Sequence, residues 1–548
     1  MIESSQPPAS PNPPPPRRSS GYAVLVAAGI LLSRVAGLIR NAVIARYLGA
    51  SAATDAFNVA LKVPNFLQNL LGEGVLSAAF IPVYSRLLAQ GDQRAADRVA
   101  GVFVSFLALL VACIVILGVI FAPVILGITV AGLEPHVMEM AVRFMRIIFP
   151  GIGLLVLYAW ALGILNSHRQ FFIGYVAPVL WSASMIASLV IFGMWWSGAE
   201  LAEALAWGTL VGCFLQFAIE IPFVLRHARY LSFGFDRSLE PVRTIFRNIL
   251  PVVGGRGVVQ ISGYVDTFIA ATLPIGALSN LFYAQSIYML PISVFGMSVA
   301  AAELPQMSGQ TGTNDEVKVI VRKRLDRSAR QVAFFVVPSV VALMVLGHSL
   351  VAALYERGKF DANTTLIVYY ILAFASIGLL AATLGRLYSS AFYALQDTRT
   401  PFRIALARVA GGAALAVLFA FPLRPMFPAI IRALGLPIPD VAGAEDLIAV
   451  TGISAASAIA AWIEFLLLRR GIRNRIGEGE ARTGYMIRLW VAALAAGAAA
   501  FATDRVITLP HILEAAILCG VFGLVYFAGA FALGVPEVKT MISRVRRR

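Results

Sequence analysis

Fourteen stretches of this chain are apolar for long enough to cross a lipid bilayer, and that recurrence limits its fold more than any other feature. They lie near residues 21–47, 53–88, 99–128, 137–165, 171–196, 202–225, 245–273, 279–307, 331–356, 364–395, 402–422, 447–470, 485–503 and 511–534. A helix needs about 20 residues to span the hydrocarbon core. Backbone amides find no water there, so each stretch must close its own hydrogen bonds as a helix. Composition agrees: 59% of the 548 residues are hydrophobic and 13% are charged, where a soluble domain carries about 25% charged residues. The expectation is an all-α polytopic membrane protein of about 14 transmembrane helices. The longer stretches are expected to tilt or to project beyond the hydrocarbon.

The formal net charge of +15 would suit a nucleic-acid partner. The cations sit between apolar stretches, however, where membrane topology accounts for them and no nucleic acid is needed. With a cytoplasmic N-terminus, alternate connections are rich in basic residues: Arg86, Arg94 and Arg98; Arg226, Arg229, Arg237, Arg243 and Arg247; Lys318 to Arg330; Arg469, Arg470, Arg473 and Arg475. The connections between them are poor in cations, apart from Arg357, Lys359, Arg424 and Arg432. This pattern places both termini in the cytoplasm. Residues 1–20, MIESSQPPASPNPPPPRRSS, read as a disordered proline-rich tail, and 536–548 as a basic one. No secretory signal is expected, because the apolar stretch after Arg17 and Arg18 leads into a full span. The basic run 317–330, inside the polar loop 307–330, is expected to lie on the inner membrane surface among anionic headgroups. A natural parse is two six-helix halves, 21–228 and 240–470, with two further helices over 484–535. Paired halves of this kind enclose a midplane site and alternate its access. Cys113, Cys213 and Cys519 have neither metal nor disulfide spacing and read as small buried hydrophobes.

The second stretch departs from plain apolarity. Asp55, Asn58, Lys62, Asn65, Asn69 and Glu73 are separated by three, four, three, four and four residues, so all six share one helix face. A charge at the bilayer centre costs about 2.5–3.5 kcal/mol on insertion scales. Asp55, Lys62 and Glu73 would together cost about 8–10 kcal/mol if they faced lipid. The stripe must therefore line a wet cavity or a protein interior. Pro64 removes one backbone hydrogen bond beside it and should kink the helix, either as a hinge or as a fixed bend. No glycine-rich phosphate loop precedes a Lys and Ser/Thr, so ATP is not expected as the driver; no enzyme constellation, metal site or cofactor site is found.

Several segments carry a likeness to a known family. They are SRVAGLIRNAVIARYLG (Ser33–Gly49), ATDAFNVALKVPNFLQNLLGEGVLSAAFIPVY (Ala53–Tyr84), GILNSHRQFFIGYVAP (Gly163–Pro178), PVVGGRGVVQISGYVD (Pro251–Asp266), LYERGKFD (Leu354–Asp361) and FYALQDTRTPFRIA (Phe392–Ala405). The chain resembles, over residues 21–535, the MurJ/MviN family, the proposed lipid II flippases of bacterial cell-wall synthesis. The resemblance implies the fold of the multidrug/oligosaccharidyl-lipid/polysaccharide exporter superfamily. Helices one to six and seven to twelve would form two lobes about a cationic cavity, and the helices of 484–535 would frame a groove for a polyprenyl tail. It implies a cargo, lipid II, which is an undecaprenyl-pyrophosphate bearing a disaccharide-pentapeptide. This cargo would move from the inner to the outer leaflet of the bacterial cytoplasmic membrane. Membrane lipids and cell-wall synthesis proteins are the further partners it allows.

Arginine suits pyrophosphate because its planar fork donates in pairs and stays charged. Arg34 and Arg40 match arginines the family relies on and are candidates to edge the cavity; the alternative is an ion pair with Asp55 or Glu73. The chain departs from the family at Gln68 and Ser286, where many members carry arginine. It departs also at Met289 and Asn41, where many carry an acid. Gln68 and Ser286 remain candidates as cavity positions. Arg256, between glycines and one turn before Gln260, is either a replacement cavity arginine or an interfacial one. Asp266 matches an acid that holds sodium in some relatives. Helix eleven here offers Arg403 and Arg408 but no Asn, Asp or Glu, so a full sodium cage is not expected. Asp266 is left to pair with an arginine or to carry a proton. Asp397 and Arg399, in LQDTRTP, read as a turn cap or latch. The missing arginines keep rivals open beside the flippase: a non-transporting scaffold paralogue, or a polysaccharide-unit or multidrug exporter.

Overall fold

The computed structural model describes residues 19–539 and Met541, apart from 73–75, 77–78, 131, 237, 298, 300–302, 304–306, 308–313, 396, 442 and 478–482. Glu73 and the side chains of Arg256 and Gln260 lie outside the described residues. The described chain folds into helices α1 (Ser19–Leu48), α2 (Ala52–Leu71), α3 (Ile81–Ala89), α4 (Gln93–Ile120), α5 (Ala122–Thr129), α6 (Pro135–Ser167), α7 (Phe171–Phe192), α8 (Gly198–Ala218), α9 (Ile221–His227), α10 (Glu240–Ala270) and α11 (Ala277–Pro291). A π-helical turn, Ile292–Met297, leads on to α12 (Asn314–Val345), α13 (Gly347–Tyr355), α14 (Ala362–Ser376), α15 (Leu379–Ala394), α16 (Arg399–Ala420), α17 (Met426–Ala433), α18 (Ala444–Ile448), α19 (Val450–Ile476), α20 (Thr483–Asp504) and α21 (His511–Ala532). Side-chain caps start several of them. The Ser51 hydroxyl accepts from the Thr54 N–H at 3.4 Å, Asp92 from Ala95 at 2.9 Å and Asp361 from Thr364 at 2.8 Å.

Among the described residues, nine helical spans are long and apolar enough to cross a bilayer, or ten if the bent pair α14 and α15 counts as one. This is a multi-pass membrane protein. The expected stretches all overlap helices. Those outside the ten are α1, α2, α10 and α11, and these four bring Arg34, Arg40, Lys62, Asp266 and Ser286 to the interior cavity. The bend between α14 and α15 is 44° and has a local cause. A Cβ at Gly378 would stand 2.6 Å from the Ala458 Cα, so α19 approaches there as only glycine allows. The Trp462 indole N–H donates to the Ile377 carbonyl at 2.9 Å, serving a group the break exposes.

Helices α1 to α8 pack chiefly on one another, through the pairs α1–α7, α2–α6, α6–α8 and α7–α8. A second set forms through α11–α14, α15–α19 and α16–α19; α20 and α21 pair together and lie against α12 and α13. Helix α12 corrects one expectation. The run 317–330 is not a separate surface helix, because α12 is unbroken from Asn314 onward and its first proline is Pro338. Val321, Leu325, Ser328 and Val332 bury one face, so the basic run is the spanning helix prolonged past its apolar part. The cysteines correct another. Cys213 is buried, but Cys113 on α4 and Cys519 on α21 are exposed.

At one end of the helices the two sets are sealed together. The Tyr283 hydroxyl donates to the Gly49 carbonyl at 3.0 Å and the Lys359 N–H to the Arg46 carbonyl at 2.9 Å. Gly49 and Gly358, both at positive φ, make this seam close. A Cβ on Gly49 would stand 2.7 Å from the Lys359 oxygen, and one on Gly358 would overlap the Arg46 carbonyl.

Candidate functional site

Three adjoining cavities of about 400, 290 and 500 Å3 lie between the two helix sets. The first two share Lys62, Leu281, Gln285 and Met289, and the first and third share Phe282, Ser286 and Met289, so together they make one branched chamber.

The polar stripe of α2 supplies one wall. Asn58, Lys62, Asn65 and Asn69 all line the first branch, as their helical spacing demands. The Lys62 ammonium lies 5.7 Å over the Tyr264 ring, and the Tyr264 hydroxyl donates to the Lys62 carbonyl at 2.5 Å. That contact crosses from α2 to α10. Helix α2 continues unbroken through Pro64, which is buried. Gln68 is half-buried on the same helix but is not among the lining residues; its carbonyl accepts the Gly72 N–H at 2.6 Å.

Asp55 stands apart from the chamber. It is 3% exposed, and its carboxylate accepts the Gly276 N–H at 2.6 Å, the Ser279 N–H at 2.8 Å and the Ser279 hydroxyl. It therefore caps the start of α11 from the opposite helix set and belongs to the seam. The alternative ion pair between Asp55 and Arg34 or Arg40 does not form, because this carboxylate is fully engaged elsewhere.

Arg34 and Arg40 line the third branch, beside Trp181 and Ser286. The Arg40 guanidinium donates from Nε and Nη2 to the Asn41 side-chain oxygen, both at 3.2 Å, and lies 5.0 Å over the Trp181 ring. Asn41 thus keeps an acceptor beside the arginine without supplying a negative charge. Ser286 donates to the Tyr283 carbonyl at 2.7 Å and meets the Tyr355 hydroxyl at 2.7 Å.

Asp266 lines the second branch with Arg386 and Arg408. It accepts from the Ser457 hydroxyl at 3.1 Å, while Arg408 pairs with Glu464 at 2.9 Å. Among the described residues no group of three His, Cys, Asp or Glu side chains could hold a metal. Tyr264, Gln285, Arg386 and Ser457 are lining residues the sequence reading passed over. Arg386 carried a signal, since it is a charge inside an apolar stretch and meets the criterion that singled out Lys62. Among the described residues, Arg34, Arg40, Lys62, Arg386 and Arg408 face the chamber, against Asp266 among the lining acids and Glu464 behind Arg408. The chamber is electropositive.

An all-helical membrane protein with an electropositive chamber between two helix sets, sealed at one end, has the architecture of an alternating-access transporter. The family described as "Lipid II flippase MurJ" matches residues 44–436, and the chain belongs to that family. It is 32% identical over 391 residues to the "Lipid II flippase MurJ" of Burkholderia cenocepacia, covering 70% of this chain and 75% of that one. It is 29% identical to the "Probable lipid II flippase MurJ" of Rhizobium meliloti, over 95% of both. In fold it is similar to a structure described as "Lipid II flippase MurJ, inward closed conformation", with a TM-score of 0.74, 23% identity and coverage of 96% of this chain and 100% of that one. An inward-facing multidrug resistance MATE family transporter of the MOP superfamily matches 82% of this chain and 98% of its own, with a TM-score of 0.59 and 18% identity.

Proposed function

We propose that this chain is a lipid II flippase of the bacterial cytoplasmic membrane, moving its undecaprenyl-pyrophosphate-linked cargo from inner to outer leaflet by alternating access. The observation that carries this reading is the electropositive chamber under a sealed seam. Two phosphates cannot cross hydrocarbon bare, and five cationic side chains gathered between the helix sets give them an interior path. Both termini face the cytoplasm, since the arginine-rich connections lie away from the seam. Residues 21–228 and 240–470 act as the two lobes, and 484–535 as the groove for the polyprenyl tail. Exposed Ile487, Val491, Leu494 and Leu524 on α20 and α21 support the last assignment. Cell-wall synthesis proteins enter as partners through the cargo alone.

Arg34, Arg40 and Lys62 are the pyrophosphate ligands in this reading, with Asn58, Asn65, Asn69 and Ser286 as neutral lining. Arg386 and Arg408 offset the arginines missing at Gln68 and Ser286. Asp266, between Lys62 and Arg408, is the charge whose partner changes during turnover. The test is rescue of a strain depleted of its own flippase, scoring lipid II on the outer leaflet. The unmodified chain should restore growth, while Arg40→Ala and Lys62→Ala should cut outer-leaflet lipid II at least about tenfold, the loss of one charge-assisted contact worth about 1.5–3 kcal/mol. Failure of the unmodified chain would favour the scaffold reading.

A further inference from the structure

We propose that a second anion site opens at the basic end of the later helix set, apart from the central chamber, and holds the phosphate of an anionic phospholipid. A cavity of about 730 Å3 lies between the last turns of α19, the first half of α12 and Tyr388 of α15. Among the described residues, Arg322, Arg469, Arg470 and Arg473 line it, against one acid, Asp326. The site is walled. Arg322 donates to the Ile476 carbonyl at 3.4 Å, and its guanidinium stands 3.0 Å from where a Cβ on Gly477 would lie.

Membrane topology asks only for cations near the headgroups and does not ask for a cavity around them. The helix dipole of α19 is already served by Arg475, which pairs with Asp397 at 2.5 Å on another side of the helix. What selects a lipid over a free phosphate is the surface beside the arginines. Ile459, Ile463, Leu466 and Leu467 of α19 are 40, 48, 52 and 42% exposed, and they form an apolar stripe that runs out of the hydrocarbon toward Arg470. Leu466 itself lines the cavity. An acyl chain lying on that stripe delivers its phosphate to the arginines, the arrangement expected of a basic pocket between spanning helices on the cytoplasmic face.

The experiment is native mass spectrometry of the purified full chain, exchanged into mixed micelles of phosphatidylglycerol and phosphatidylcholine. Phosphatidylglycerol should stay bound to the unmodified chain. The variant R469Q/R470Q/R473Q should lose at least tenfold of it, whereas R226Q/R229Q/R243Q, the same charge change in and beside the connection between the two lobes, should keep it. If the first variant fails to fold, the single Arg470→Gln change reads the same difference on a smaller scale. Equal retention in both triple variants, or equal retention of the two lipids, would overturn the proposal. So would displacement of the lipid by millimolar inorganic phosphate, which would assign the arginines to a soluble anion.

Discussion

Asp55 serves the protein by closing it, and a single-residue change reads that role. Its carboxylate accepts three hydrogen bonds from Gly276 and Ser279, buried at 3% exposure. Asp55→Asn keeps the shape but replaces one acceptor oxygen by an N–H donor, which then confronts a backbone N–H. The expected cost is about 1–3 kcal/mol, seen as a lower melting temperature of the purified protein. An unchanged melting temperature would remove the cap assignment. Asp397 gives a prediction in pH. Burial pushes its carboxyl up, but hydrogen bonds from Thr400, the Arg475 charge and the Arg399 N–H outweigh it and hold the group below the ordinary carboxylate range. The folded protein then binds fewer protons than the unfolded chain. This contribution is complete above the ordinary carboxylate pKa and is lost as pH falls through the folded value. Asp397→Asn should lower the melting temperature at neutral pH, and the gap to the unmodified protein should close in acid.

At the scale of elements, the seam depends on corners of chain that only glycine can turn. Gly358 has φ +63, and a Cβ there would overlap the Arg46 carbonyl oxygen. Gly358→Ala should weaken the closed seam by at least about 1–2 kcal/mol from its backbone conformation alone. The reporter is a cysteine at Ala53, which is 5% exposed at the start of α2, in a chain whose native cysteines are replaced. Its labelling by an impermeant maleimide should rise several-fold in the Gly358→Ala protein, and unchanged labelling would mean the seam does not depend on that corner.

Alternating access is a property of the whole molecule, and the seam offers a place to arrest it. A Cβ at Gly276 would stand 3.7 Å from the Ala50 Cβ, close to the mean Cβ separation of a disulfide, about 3.8 Å. Ala50 and Gly276 belong to opposite helix sets. In a cysteine-free background, oxidised A50C/G276C should stop lipid II from reaching the outer leaflet, and reduction should restore it. Transport that continues with the bridge formed would rule out opening at this seam.

The sequence by itself determined that this is a membrane protein, where its helices run, and that one face of α2 must avoid lipid. Those are local matters: apolar length fixes a span, and a spacing of three and four fixes a helix face. Asn58, Lys62, Asn65 and Asn69 were therefore legible as a lining. Only the tertiary structure decided which charge meets which. Asp55, on the same stripe, turned to cap α11 from 221 residues away, and Arg386 and Arg408 joined Lys62 around one chamber from the other helix set. The direction a helix face looks is set by what packs against it, and those partners lie far along the chain, beyond the reach of any local pattern.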